Sequence, residues 1–157
     1  MASRRASTTR IEERAKTDRD PSDVFAFFDR PQNLERATSK QLAVSLESHP
    51  EDLRPGTIFA YRLKRWPLDL SWDVVVSEYD PPNGFTNVKA RGFFPQWALS
   101  YEIAPHDGGA MLSSRLEYEM PSGLLHSLSD TYVVRGAMTE LLREQTRAIV
   151  RALDDGR

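Results

Sequence analysis

Hydrophobic and polar residues alternate along several segments of the chain, most clearly over residues 97–103. Trp97, Leu99, Tyr101 and Ile103 share one parity, and the positions between them carry small or polar residues. Because successive side chains of a β-strand point to opposite faces, the segment predicts a strand with one aromatic, apolar face and one polar face. The apolar face has to be covered by another part of the protein.

Similar alternation, interrupted by turn-forming residues, predicts further strands. We expect them at 8–17, 41–48, 57–65, 70–79, 85–91 and 111–120, in addition to 97–103. Clear turns lie at Asp80-Pro81-Pro82-Asn83-Gly84 and at Pro105-His106-Asp107-Gly108-Gly109. Short connections between neighbours favour antiparallel pairing.

Three segments change to a helical pattern. Asp20-Pro21-Ser22-Asp23 is typical of a helix start before the apolar run 24–28, and a second short helix begins at Pro31. From Leu124 to about Leu153 the apolar positions recur with a period of 3.6. The order predicts an α+β fold: a curved antiparallel sheet of about six to seven strands wrapped around a long C-terminal helix, with two short helices after the first strand.

Length and composition narrow the class of protein. The 157 residues predict one domain over 8–153, with flexible tails at 1–7 and 154–157. The 21 basic and 23 acidic residues argue against a nucleic-acid partner. No apolar run approaches the ~18 residues that span a bilayer, and the N-terminal residues lack an apolar run, so we expect no signal peptide. We expect a cytoplasmic monomer or homodimer without stable membrane insertion.

The sequence gives little support for a metal site or for a Ser–His–Asp hydrolase. Cysteine is absent, and His49, His106 and His126 are far apart without partners at metal-ligand spacing, so we expect no metal and no cofactor. There is no Gly-x-Ser-x-Gly elbow, and Ser122-Gly123 before His126 is typical of a turn and a helix start.

Particular residues, in this order along the chain, resemble the START/Bet v 1-like (SRPBCC) superfamily over roughly residues 8–153. They are Val24-Phe25-Ala26-Phe27-Phe28, Pro31-Gln32-Asn33-Leu34, Gly56-Thr57, Trp72, Glu78-Tyr79-Asp80-Pro81-Pro82, Phe85, Gly92-Phe93, Trp97, Gly108-Gly109 and Tyr118-Glu119-Met120-Pro121. Within the superfamily the chain looks like the bacterial polyketide cyclase/dehydrase and ligand-binding group. The resemblance implies a deep apolar cavity for lipids, polyketides or other hydrophobic molecules, although a fold does not determine the chemistry.

One departure from this group bears on mechanism. Relatives often carry a Trp-x-His-x-His strand and an acidic residue on the following strand. In this chain Leu99, Tyr101 and Ser114 stand at the corresponding positions. The change argues against a histidine-based mechanism and favours a larger apolar site.

Inward-facing residues form the candidate site, as packed core or as cavity wall, and the resemblance favours the cavity. The predicted ligand-binding residues are Phe59, Leu63, Trp72, Val74, Trp97, Leu99, Leu116, Tyr118, Met138 and Leu142. Tyr101, Tyr61 and Ser114 are the candidate catalytic residues, placed to hydrogen-bond a carbonyl as it becomes an enolate or alkoxide. Tyr101 could also donate a proton. Gln145 is expected to direct its amide at the cavity.

The facing of strand 85–91 stays open. An inward Phe85 would bring Asn87 and Lys89 to the inner face, whereas an inward Val88 would turn them outward. Lysine is rarely fully buried, which favours a surface position for Lys89.

Two loops carry large apolar residues, Trp66-Pro67-Leu68 and Gly92-Phe93-Phe94-Pro95. Such residues would form lids over the cavity, a dimer contact or a surface that touches membrane, and we prefer the lid.

The sequence leads to two main hypotheses for function. The first is a cyclase or dehydratase that folds and cyclises a polyketide-type intermediate in a deep apolar cavity. The alternative is a non-catalytic carrier or sensor of a lipid or apolar metabolite. A weaker third hypothesis is an interaction protein that dimerises through the aromatic loops.

Overall fold

Alternating segments of the chain form the strands, and the three helical patterns form helices. The computed structural model describes residues 8–38, 40–121 and 128–155. Its elements are β1 (Thr8–Thr17), α1 (Pro21–Phe28), α2 (Pro31–Ala37), β2 (Val44–Leu46), β3 (Ile58–Arg65), β4 (Leu68–Asp80), β5 (Gly84–Gly92), β6 (Gln96–His106), β7 (Gly109–Glu119) and α3 (Leu128–Asp155). The predicted α+β order is confirmed.

The strands form one antiparallel sheet in the order β1-β7-β6-β5-β4-β3-β2. Strands β2 to β7 therefore pair with their neighbours in sequence, and β1 returns to pair with β7. Burial alternates strictly along the central parts of β6 and β7, with Trp97, Leu99, Tyr101, Leu116 and Tyr118 on the buried side. The curled sheet thus has an apolar inner face and a polar outer face, as the alternation predicts.

Helix α3 packs on this inner face and contacts β1, β2 and β7 of the sheet. Its buried stripe includes Met138, Leu141, Leu142, Gln145 and Ile149, which have the spacing of one helix face. Residues 124–127, where the predicted helix would begin, lie outside the described residues.

The two short helices pack together, α1 against β6 and β7 and α2 against α3. Proline stands at the first position of both, where its missing N–H leaves no hydrogen bond unmade. The ring of Phe28 in α1 packs 5.2 Å from Phe85 and 4.8 Å from Tyr101, measured between centroids. Aromatic packing therefore fixes α1 against β5 and β6.

The register of β5 answers the question of its facing. Phe85 and Asn87 are buried, and Asn87 pairs with the buried Val76 of β4. Lys89 pairs with the buried Val74, so it lies on the same inner face, where it is half-buried. The alternative with Val88 inward is wrong.

Two local expectations need correction. The strand predicted at 41–48 shortens to Val44–Leu46, because only these residues pair in register with β3 at the edge of the sheet. Phe94 is not an exposed lid residue: it is 0% exposed, and its ring packs 5.0 Å from Trp72 and 5.5 Å from Tyr118. Trp66, between β3 and β4, is 92% exposed.

Candidate functional site

Three aromatic residues meet on the inner face of the sheet. Tyr61 of β3 and Trp72 of β4 are cross-strand partners whose rings stack with centroids 5.6 Å apart. Trp97 of β6 completes the group, 5.6 Å from Tyr61 and 5.9 Å from Trp72. All three side chains are almost completely buried. Strands β3, β4 and β6 thus bring together residues that are distant in sequence.

The polar atoms of these aromatic residues have no hydrogen-bond partner among the described residues. The hydroxyl of Tyr61 and the indole N–H groups of Trp72 and Trp97 are buried and unpaired. Leaving a buried donor unsatisfied costs about 1–3 kcal/mol, and native structures contain few such groups. Three of them on neighbouring rings mark this part of the inner face as polar but unsatisfied.

Asn87 adds a further unpaired group. Its side chain is 0% exposed, and in the part of the chain that the structure describes neither its amide nitrogen nor its amide oxygen has a partner. Asn87 pairs with Leu99 of β6, so Trp97 lies diagonally across from it on the same face. The inner face therefore offers mainly donors, together with one amide acceptor.

Tyr101 belongs to a different, satisfied network. Its hydroxyl donates to Oε1 of Gln145 over 2.5 Å, and Nε2 of Gln145 donates to Oγ1 of Thr38 over 2.9 Å. Thr38 in turn donates to the carbonyl oxygen of Leu34 over 2.8 Å. The buried amide of Gln145 thus joins the sheet to α3 and to the end of α2.

Ser114 accepts a hydrogen bond from helix α3. Thr146 of α3 donates to Oγ of Ser114 over 2.9 Å, and both residues are buried. The serine oxygen therefore joins β7 to α3. The structure accordingly separates the three candidate catalytic residues: Tyr61 is unpaired, whereas Tyr101 and Ser114 already hold α3 to the sheet.

Burial keeps the two inner tyrosines in their neutral form. Desolvation raises the pKa of Tyr61 above its usual value. Desolvation also raises the pKa of Tyr101 well above its usual value, and the nearby Tyr61 adds a smaller upward contribution. Near neutral pH both hydroxyls carry their protons, so Tyr61 can donate a hydrogen bond and cannot act as a phenolate base.

The remaining predicted ligand-binding residues surround these groups. They are all buried: Phe59, Leu63, Val74, Leu99, Leu116, Tyr118, Met138 and Leu142. Sequence reasoning missed Thr146, Thr38 and Phe94 as inner residues. Thr146 follows Gln145 on α3, which was an available signal, whereas Phe94 lies in a short loop without periodicity.

Two further observations concern metal binding and membrane crossing. Within residues 8–38, 40–121 and 128–155, no three His, Cys, Asp or Glu side chains come together as metal ligands would. Within the same ranges, no helix combines the length and the apolar character needed to cross a membrane.

Fold and site together define an α+β protein whose curled sheet holds an aromatic, donor-rich interior beneath a C-terminal helix. The solved structure of TTHA0849 from Thermus thermophilus is similar with a TM-score of 0.70 and 13% identity, covering 94% of this chain and 99% of that one. Ara h 8.0201 is similar with a TM-score of 0.60 and 14% identity, covering 94% and 98%. Major latex-like protein 151 from Panax ginseng has a TM-score of 0.62 and 14% identity, covering 92% and 97%.

These likenesses show that the chain has the Bet v 1-like fold, a curled antiparallel sheet with a long C-terminal helix, which confirms the fold that the sequence resemblance predicts. At 13–14% identity they concern the fold alone. No protein-family model and no curated protein sequence matches the chain.

Proposed function

We propose that the protein binds an apolar small molecule that carries hydrogen-bond acceptors, between the sheet and α3. The observation that carries this proposal is the set of unpaired buried groups on Tyr61, Trp72, Trp97 and Asn87. Ligand sites are typically apolar with a few placed polar groups, which describes this interior. The Bet v 1-like fold is typical of hydrophobic ligand binders and supports the same conclusion.

Fluorescence titration with the neutral probe N-phenyl-1-naphthylamine tests binding. We expect saturable binding of one probe per chain. In competition, 1-acetylnaphthalene should displace the probe about 3- to 10-fold more effectively than 1-ethylnaphthalene, because its carbonyl can accept from an unpaired donor. Tyr61→Phe should reduce this preference. Absence of saturable binding to the folded protein would contradict the proposal.

A stability measurement provides the matched control. Tyr61→Phe removes an unpaired hydroxyl, so the free energy of unfolding should stay within about 0.5 kcal/mol of the wild type or increase. Tyr101→Phe removes a paired hydroxyl and should lower it by about 1–2 kcal/mol. Urea unfolding monitored by circular dichroism measures both. Equal losses in the two variants would mean that Tyr61 is hydrogen-bonded in the unliganded protein.

We also propose, as a second function, that the site cyclises a polyketide-type chain. Tyr61 is unpaired and protonated, so it can donate a hydrogen bond to a substrate carbonyl oxygen. A substrate methylene carbon between two carbonyls, which has lost its proton to solvent, then bonds to that carbonyl carbon. The π electron pair of the C=O bond moves to the oxygen as an alkoxide, which takes a proton from water. The aromatic walls would hold the flexible chain in a reactive shape. The alternative is a carrier or sensor that binds the same class of molecule without reaction.

Turnover of a synthetic poly-β-ketone thioester, followed by the absorbance of the cyclised aromatic product, separates these functions. If the protein is a cyclase, Tyr61→Phe should lower the rate by about 100-fold while binding is retained. Tyr101→Phe should lower it less, because its proton is held by Gln145. Binding of the thioester without acceleration over the uncatalysed rate would favour the carrier.

A further inference from the structure

Lys89 occupies an unusual position for a lysine. It lies on the inner face of β5, two residues after the buried Asn87, and it pairs with the buried Val74 of β4. Its side chain is half-buried. Its neighbours on the sheet include Val74 and Asn87, which are apolar or amide side chains. Partly buried ammonium groups are commonly paired with a carboxylate, and these neighbours do not supply one.

The ladder between β5 and β6 ends next to this lysine. Pairing between the two strands stops at Val88 and Ala98, although β5 continues against β4 as far as Gly92. Strand β6 likewise continues against β7 from Gln96. The next inward residues after the last paired rung are Lys89 on β5 and Trp97 on β6. An ammonium, an amide and an indole N–H therefore stand beside the separation of the two strands.

Three other cations on the sheet and on α3 have carboxylate partners. Arg62 meets Asp69 at 2.7 Å, Arg115 meets Glu102 at 2.7 Å, and Arg143 of α3 meets Glu13 of β1 at 3.6 Å. Within the described ranges, Lys89 takes part in no ion pair or side-chain hydrogen bond. The amide of Asn87 beside it is also unpaired and fully buried. The ammonium of Lys89 and the amide nitrogen Nδ2 of Asn87 are both donors that lack an acceptor in the described part of the chain. Such a pair favours the binding of an oxyanion.

We infer that the apolar ligand carries an oxyanion, such as a carboxylate, which Lys89 binds where β5 and β6 separate, assisted by the amide of Asn87. This inference rests on the proposed function and specifies its ligand class. The apolar body of the ligand would lie against Trp72 and Trp97. The charged group would stay beside the half-buried Lys89 side chain, where its hydration is only partly lost.

Two probes that differ by one sulfonate test the inference. N-phenyl-1-naphthylamine is neutral, and 8-anilino-1-naphthalenesulfonate is the same molecule with an oxyanion. The quantity to measure is the dissociation constant of the neutral probe divided by that of the sulfonate. In Lys89→Met this ratio should fall about tenfold, because a charge-assisted hydrogen bond is lost. In Lys89→Arg it should stay within about twofold of the wild type, because the positive charge remains.

Lys64→Met is the matched control, because Lys64 is an exposed lysine of β3. It should leave the ratio unchanged. If both probes bind but Lys89→Met leaves the ratio unchanged, or Lys64→Met lowers it equally, the inference is overturned and the proposed function stands. If neither probe binds the wild type, the proposed function itself fails. Retained binding of the neutral probe shows that Lys89→Met is folded.

Discussion

Replacing Gln145 by leucine is expected to lower the free energy of unfolding by about 3 kcal/mol. The substitution keeps a side chain of roughly similar size but leaves the hydroxyl of Tyr101 without its acceptor in a buried site. It also removes the donor to Thr38, so the link between α3 and the end of α2 is lost. Urea unfolding at neutral pH measures the difference.

A double-mutant cycle distinguishes the hydrogen bond from a general effect of the substitution. The loss in the double variant Tyr101→Phe/Gln145→Leu should be smaller than the sum of the single losses by about 1 kcal/mol or more, because both partners are then apolar. Gln32→Leu on α2 is the control, since Gln32 is exposed, and it should change stability by less than about 0.5 kcal/mol. Additive losses would show that Tyr101 and Gln145 act independently.

The architecture was predictable because its signals are local. Alternation over 97–103 depends only on the two-residue repeat of a strand, and the periodic stripe of the last helix depends only on the 3.6-residue repeat. Prolines at 21 and 31 mark the starts of the two short helices without reference to the rest of the chain. Local rules of this kind are sufficient to predict the order of elements and the fold class.

Side-chain partners were not predictable, because they depend on residues far apart in the chain. Gln145 contacts Tyr101, 44 positions away, and Thr38, 107 positions away. Sequence reasoning placed the Gln145 amide inside. It could not predict that the amide oxygen accepts from Tyr101 of β6 while the amide nitrogen donates to Thr38 at the end of α2. For the same reason Tyr61 and Tyr101 looked equivalent, although only Tyr61 is left unpaired.

The facing of β5 shows the limit of the strand repeat itself. The register between β4 and β5 shifts twice, between Asp73 and Val74 and between Val76 and Glu78. A β-bulge inserts a residue and reverses the alternation beyond it. The second shift places Tyr79, which follows Glu78, opposite the buried Phe85 and 5.3 Å from the ring of Phe25. Neither shift interrupts β5 between Phe85 and Lys89, so the facing of this strand was open because apolar residues stand on both of its parities. The pairing with Val76 and Val74 decided it.

Above pH 10 we expect stability to fall steeply, with Tyr61 and Tyr101 responsible for an identifiable part. Burial raises the pKa of both hydroxyls in the folded protein, whereas unfolded tyrosine ionises near pH 10. The neutral form therefore stabilises the folded state fully below pH 10. As the pH rises above 10, the unfolded state loses protons that the folded state retains, and stability decreases.

The slope measures how many tyrosines behave in this way. Each hydroxyl that is ionised only in the unfolded state lowers the free energy of unfolding by about 1.4 kcal/mol per pH unit. Tyr61 and Tyr101 together should approach a slope of about 2.7 kcal/mol per pH unit well above pH 10, which corresponds to a loss of about 2 kcal/mol between pH 10 and pH 11. Urea unfolding at pH 8, 9, 10 and 11 should show a shallower decline in Tyr61→Phe/Tyr101→Phe, with each single variant removing about half of the difference.

Absorbance near 295 nm provides the independent readout, because it records phenolate directly. In the wild type the phenolate signals of Tyr61 and Tyr101 should arise together with unfolding and not before it. The two single variants also distinguish the two hydroxyls at high pH. The raised pKa of Tyr61 is due to burial alone, whereas the hydroxyl of Tyr101 also donates a hydrogen bond to Gln145. Ionisation of Tyr61 in the folded protein near pH 10 would mean that water reaches its hydroxyl, which would remove the reason for expecting a ligand acceptor there.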